Sequence, residues 1–188
     1  MTVYLASTSP RRKELLSQIM SDFSQISPDV VEKEYPQLSP RQKAVRLSKD
    51  KCIAAVNHIR QKDMVIIASD TVVDLDGAVL EKPKDRRDAY NMISRLSGKI
   101  HHVYSAVSVY CKGTMYTFSC DTAVHFDHVP PQVIDEYVDT SEPYDKAGGY
   151  AIQGFMGKYI NKIEGDYNNV VGLPVENLKK LLNFLNIL

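Results

Sequence analysis

The 188-residue sequence has no long apolar run, only three cysteines and no surplus of charge of either sign, and each shortage removes a class of function. No apolar stretch is long enough to cross a bilayer, and the N-terminus has no basic-then-apolar leader, so a cytoplasmic protein is expected. Lys and Arg number 23 against 23 Asp and Glu. No field of the whole molecule therefore recruits a nucleic acid polymer or an anionic membrane, and anion recognition must come from local clusters.

Cys52, Cys111 and Cys120 form an odd set without CxxC spacing. If Lys112 and Gly113 make a two-residue hairpin turn, Cys111 faces Thr114 and Cys120 faces Ser105. That register keeps the two thiols apart, so three reduced, structural cysteines are expected. The five histidines show no HExxH spacing. There is no GxxxxGK[ST] and no GxGxxG, which disfavours a P-loop nucleotidase. Internal repeats and low-complexity tracts are also missing.

What is present fits one domain over residues 1–188 with an ordinary apolar fraction of 44%. Val3 to Leu5 reads as a strand, and Pro10 opens a helix capped by the preceding hydroxyls. Phe23 to Ser27 alternates like a strand, and Pro28 to Pro36 is an acidic loop holding Glu32 and Glu34. Ser39 and Pro40 start a long helix through Ala44, Leu47, Lys51, Ala55 and Ile59. Met64 to Ala68 is a buried strand that ends at Ser69, Asp70 and Thr71, followed by Val72 and Val73 and an Asp76-Gly77 turn. Asp85 caps a helix to about Leu96. Strands at Val103–Tyr110 and Met115–Phe126 flank the Lys112-Gly113 turn, and a short helix covers Pro130 to Val138. Lys146 to Gly154 is a glycine-rich loop. A strand pair at Tyr159–Gly165 and Asn169–Val171 precedes a last helix from Pro174. The expected class is α/β with a mixed sheet.

The candidate chemistry begins in LASTSPRRKELL, Leu5 to Leu16. Arg11 and Arg12 fall in a first helical turn, where the helix dipole favours acids. Exposed backbone N–H groups and two guanidinium forks there suit a phosphate, although a plain capped helix with solvated arginines fits the segment alone equally well. Asp70, at the expected end of a buried strand, could hold a cation or act as a base, or simply cap a turn. Glu32 and Glu34 could supply a second carboxylate to magnesium, which takes one or two and leaves its other positions to water and phosphates. Lys51, Lys82 and Lys146 are each held beside a helix, Pro or Gly. Gln153 offers a donor and an acceptor suited to a nucleobase edge, or is a turn glutamine.

Taken in order, these segments resemble the Maf family of nucleoside triphosphate pyrophosphatases. The likeness runs through Leu5–Leu16, Ser69–Val73, Glu81–Asp85, Leu96–Gly98, Glu142–Gly154 and Val170–Val175, essentially the whole chain. It implies hydrolysis of a nucleoside triphosphate to the monophosphate and pyrophosphate with a divalent metal cation, Mg2+ or Mn2+. It also implies a twisted mixed sheet with flanking helices, two lobes around a cleft as in the inosine triphosphate pyrophosphatases, and a homodimer.

Asp70 matches the family's proton acceptor. Ser7, Arg11, Arg12, Glu32, Lys51, Lys82 and Gln153 match its other active-site positions. On this resemblance Ser7, Arg11 and Arg12 hold the triphosphate, Lys51 and Lys82 neutralise the leaving pyrophosphate, and Glu32 and Asp70 bind the metal. Thr71 and Gln153 read the base. Arg11, Thr71 and Gln153 fall with the branch acting on dTTP and UTP; the sister branch acting on 7-methyl-GTP has Trp, Gln and Glu there. Gly149 and Ala151 depart from the usual AGAYGIQG. A nucleotide-binding regulator of septum formation is the rival from another class.

Overall fold

The computed structural model describes residues 1–28, 30 and 35–188, so Glu32 and Glu34 lie outside the described residues. Its centre is a mixed seven-stranded sheet ordered β2-β1-β3-β5-β6-β7, with β4 paired to β3. The strands are β1 (Thr2–Ala6), β2 (Ser24–Ile26), β3 (Met64–Leu75), β4 (Ala78–Leu80), β5 (Ile100–Cys111), β6 (Thr114–Phe126) and β7 (Ile160–Glu164). β1 is parallel to β2 and to β3, while β3–β4, β3–β5, β5–β6 and β6–β7 are antiparallel.

The helices are α1 (Pro10–Ser17), α2 (Pro40–Ile59), α3 (Arg86–Leu96), α4 (Pro131–Val138), α5 (Tyr167–Val171) and α6 (Val175–Phe184). Their starts follow local chemistry. Ser9 Oγ accepts from the Arg12 amide with Pro10 in the first turn, Ser39 forms a full capping box with Gln42, and Asp85 accepts from the Asp88 amide.

Period-two alternation along β3 sorts its side chains. Val65 and Ile67 enter a core with Leu15, Leu16, Leu178 and Leu182, whereas Met64, Ile66 and Ala68 pack with Cys52 and Ala55 of α2. A further core joins Val73, Leu75 and Leu80 to Ile93, Leu96, Ile134 and Tyr137. The sheet is thus covered by α1, α2 and α6 at one end and by α3 and α4 at the other.

Asp70 is not at a strand end, as expected from sequence, but in the middle of the twelve-residue β3. The reason lies in its partners. On one edge β5 accompanies β3 from Val65 to Asp74. On the other, β1 stops opposite Ala68, and β4 pairs only with Val73 to Leu75. Residues 69–72 are left with one bare edge among the described strands, and a cleft opens there.

The Lys112-Gly113 turn has φ values of 49° and 81°, matching the twist of a two-residue hairpin. It sets the expected register, with Cys111 opposite Thr114 and Ser105 opposite Cys120. All three cysteines are free.

The expected strand at Asn169–Val171 is a correction: these residues belong to helix α5. Asp166 caps it through the Asn168 amide, and Gly172 ends it at φ 126°. The β-branched pair at its end faces the cleft rather than a strand partner. No helix of the described residues is long and apolar enough to cross a membrane.

Candidate active site

The cleft beside the bare edge of β3 has a volume of about 890 Å³. Ser7, Arg11, Arg12, Lys51, Asp70, Thr71, Lys82 and Gln153 all line it, although they come from segments scattered over 147 positions. Glu32 is not among the described residues. Six cationic side chains, those of Arg11, Arg12, Lys43, Lys51, Lys82 and Lys146, face three carboxylates, Asp70, Glu81 and Asp145, among the described lining residues. A chain with no net charge therefore concentrates positive charge where its sheet opens, and such a cleft attracts anions.

Alternation on β3 aims neighbours in opposite directions. Asp70, in phase with Ile66 and Ala68, points toward α2 and pairs with Lys51. Both side chains are largely buried, at 10% and 14% exposure, so the pair is little screened. Thr71, in phase with Ile67 and Ser69, points toward α1 and accepts a hydrogen bond from Arg12 Nη2 at 3.0 Å.

Arg12 is held on several sides. Its Nε donates to the Gly172 carbonyl at 2.9 Å and its Nη1 to Ser7 Oγ at 3.4 Å. Burial lowers its pKa, the charge of Asp70 opposes that, and Arg11 adds to it. A guanidinium nonetheless stays charged under these conditions, so α1 presents a fixed cation at its own positive end.

The glycine-rich segment carries Gln153 to the cleft. The Gly148 amide donates to the Glu81 carbonyl at 3.0 Å, which ties this segment to the end of β4 just before Lys82. Gly148 has φ 72°, and a Cβ there would meet Val73 Cγ1 at 3.1 Å. Lys146 Nζ donates to the Glu142 carbonyl at 2.6 Å and to Asp145. On the same segment, Tyr150 lines the cleft and its hydroxyl meets His101 Nε2 at 2.5 Å.

Among described residues no cluster of three or more His, Cys, Asp or Glu side chains could cage a metal ion. The donor set instead fits magnesium as usually bound near phosphates, through one or two carboxylates with water and substrate oxygens completing the shell. Asp70, Glu81 and Asp145 are the described carboxylates in the cleft, each paired with a lysine.

Lys43, on the cleft face of α2, pairs with Glu81 across to β4 and was not singled out from sequence. Its position two turns before Lys51 on one helical face was the available signal. Ser105 and Asn169, buried behind Thr71, left no such signal.

The family model described as "Maf-like protein" matches residues 2–185. The chain belongs to the Maf family. Among its curated relatives is a protein of Vibrio cholerae, 44% identical over 179 residues and covering 95% of each chain, named dTTP/UTP pyrophosphatase. Proteins of Carboxydothermus hydrogenoformans (45% identical, 97% of each chain) and Salmonella typhimurium (42%, 100% of this chain and 94% of the relative) carry the same name. Among solved structures, the Ham1 protein of Staphylococcus aureus superposes with a TM-score of 0.55 at 12% identity, covering 98% of this chain and 100% of the other. That likeness shows that this Maf chain shares the Ham1 fold.

Proposed function

We propose that this Maf chain hydrolyses dTTP and UTP to the nucleoside monophosphate and pyrophosphate. The observation that carries the reading is the convergence of Ser7, Arg11, Arg12, Lys51, Asp70, Lys82 and Gln153 on one cation-rich cleft. The names of the three relatives supply the substrates.

In this reading a water attacks the α-phosphorus, the bond from that phosphorus to the α,β-bridging oxygen breaks, and pyrophosphate departs. Asp70 takes the proton of the water, a transfer of general-base type. Lys51 holds the Asp70 carboxylate in place before substrate arrives. Arg11 and Arg12 bind phosphate oxygens through their planar forks, and Ser7 adds a hydroxyl. Lys51 and Lys82 stabilise the charge that builds on the departing pyrophosphate. A divalent cation held by Asp70 and Glu32 would supply charge neutralisation and a more acidic water. Gln153 reads the pyrimidine edge with its amide donor and acceptor. The reading takes the protein to be a cytoplasmic homodimer, which fractionation and sedimentation would check.

The test is pyrophosphate release from a panel of nucleotides with magnesium, with manganese and with neither. Release from dTTP and UTP above all other nucleotides, and only with metal, is expected. A preference for 7-methyl-GTP would move the chain to the sister branch. Tight nucleotide binding without release would favour a regulator.

A further inference from the structure

Behind the cleft a buried line of polar groups joins Arg12 to the short helix α5, and the reaction above makes no use of it. Ser105 and Asn169 are both 0% exposed, and neither lines the cleft. The Ser105 hydroxyl donates to the Asn169 carbonyl oxygen at 2.8 Å, and the Ser105 amide donates to Asn169 Oδ1 at 3.0 Å. Asn169 Nδ2 in turn donates to the Val103 carbonyl at 2.8 Å and to Thr122 Oγ1 at 2.9 Å. The asparagine is satisfied on every side and anchors α5 to β5 and β6.

A serine hydroxyl carries one proton, and Ser105 gives it to Asn169. The 2.8 Å contact between the Ser105 and Thr71 hydroxyls must then be donated by Thr71. Thr71 has no further proton and can only accept from Arg12, as it does at 3.0 Å. The line therefore has one direction: Arg12 N–H to Thr71, Thr71 O–H to Ser105, Ser105 O–H to the Asn169 carbonyl. Bonds in such a series polarise one another. The far end of α5 holds the same guanidinium through the Gly172 carbonyl at 2.9 Å. Of the five N–H donors of a guanidinium, contacts to Gly172, Thr71 and Ser7 take three, leaving two for an anion.

Resting on the reading that Arg12 binds the triphosphate, we propose that Ser105 is a positioning residue for phosphate binding, which sets the direction of the Arg12 guanidinium through Thr71. Thr71 bears on the substrate through the same guanidinium. Its one proton is directed inward, to Ser105.

A double-mutant cycle tests this, with binding of a dTTP analogue carrying a methylene α,β-bridge as the readout, alongside KM and kcat for dTTP. Ser105→Ala should weaken analogue binding about tenfold, the scale of one lost buried hydrogen bond. KM should rise while kcat stays within about threefold, because uniform binding is what is lost. In an Arg12→Ala background the same substitution should change nothing further. Thr71→Val should reproduce the loss and Thr71→Ser should restore it. If Ser105→Ala does not fold, Ser105→Cys, which keeps the shape and only weakens the hydrogen bonds, takes its place in the cycle.

Wild-type binding by Ser105→Ala alongside weakened binding by Arg12→Ala would overturn the inference and leave the reading of Arg12 standing. So would effects that multiply in the double variant, since they mark general damage. Wild-type binding by Arg12→Ala would overturn that reading and the inference with it.

Discussion

Arg12 Nε donates to the Gly172 carbonyl oxygen at 2.9 Å, joining the first helix to the end of α5 across 160 residues of chain. Gly172 adopts φ 126°, where an L side chain is strained, and a Cβ there would lie 3.4 Å from both Arg12 Nε and Thr71 Oγ1. Gly172→Ala should therefore cost about 1–3 kcal/mol of stability, the scale of one residue forced into such a conformation. Backbone adjustment that relieves the strain should also move the carbonyl to which Arg12 donates, so turnover should fall. Urea unfolding and dTTP turnover would read the two effects; unchanged turnover would mean that Arg12 tolerates displacement.

Asp70 and Lys51 meet across β3 and α2 with both side chains largely buried. Asp70→Asn keeps the shape of the side chain and removes its capacity to take a proton. Turnover of dTTP should fall about 10²- to 10⁴-fold, the range for loss of a general base. Far-ultraviolet circular dichroism should be unchanged, because the apolar packing on either side of β3 is untouched. Full activity in this variant would remove the central claim.

Much of this arrangement is legible in the sequence. Hydroxyl and carboxylate caps at Ser9, Ser39 and Asp85 marked helix starts, because each satisfies an orphan amide in its own segment. The Lys112-Gly113 turn set a twelve-pair register. Local chemistry stopped being a guide where tertiary partners decide the outcome. Asp70 reads as a strand end because the apolar run stops there, but β5 and then β4 carry the strand on to Leu75. Val170 and Val171 favour a strand by propensity, yet the Asp166 cap and buried Asn169 make them helical. Ser105 is one serine in a strand, and only its neighbours reveal that its hydroxyl lies on the line to Arg12.

Gln153 lies exposed on the cleft wall, on a segment pinned by the Gly148–Glu81 hydrogen bond. Gln153→Glu replaces its amide donor with a second acceptor, so a base edge that needs the donor loses it. Hydrolysis of dTTP and UTP should fall about tenfold in kcat/KM, as for one hydrogen bond lost from a recognition site. An unchanged order of preference across the nucleotide panel would mean that the base is read elsewhere.

His101 sets an acid limit on stability. It is 1% exposed, with Nε2 bonded to the Tyr150 hydroxyl and Nδ1 without a partner among the described residues. Burial, with a smaller push from His102, lowers its pKa from 6.5 to about 4. Above pH 6.5 the ring is neutral in both the folded and unfolded chains, and its environment costs nothing through protonation. Between 6.5 and about 4 the unfolded chain gains a proton that the folded one refuses, so stability falls as the pH falls. The slope reaches at most about 1.4 kcal/mol per pH unit, that of one proton. Urea midpoints at pH 7, 6 and 5 should drop accordingly, and His101→Gln should remove this share of the drop while leaving a partner for Tyr150. Equal slopes in the two proteins would mean that the histidine is protonated within the fold.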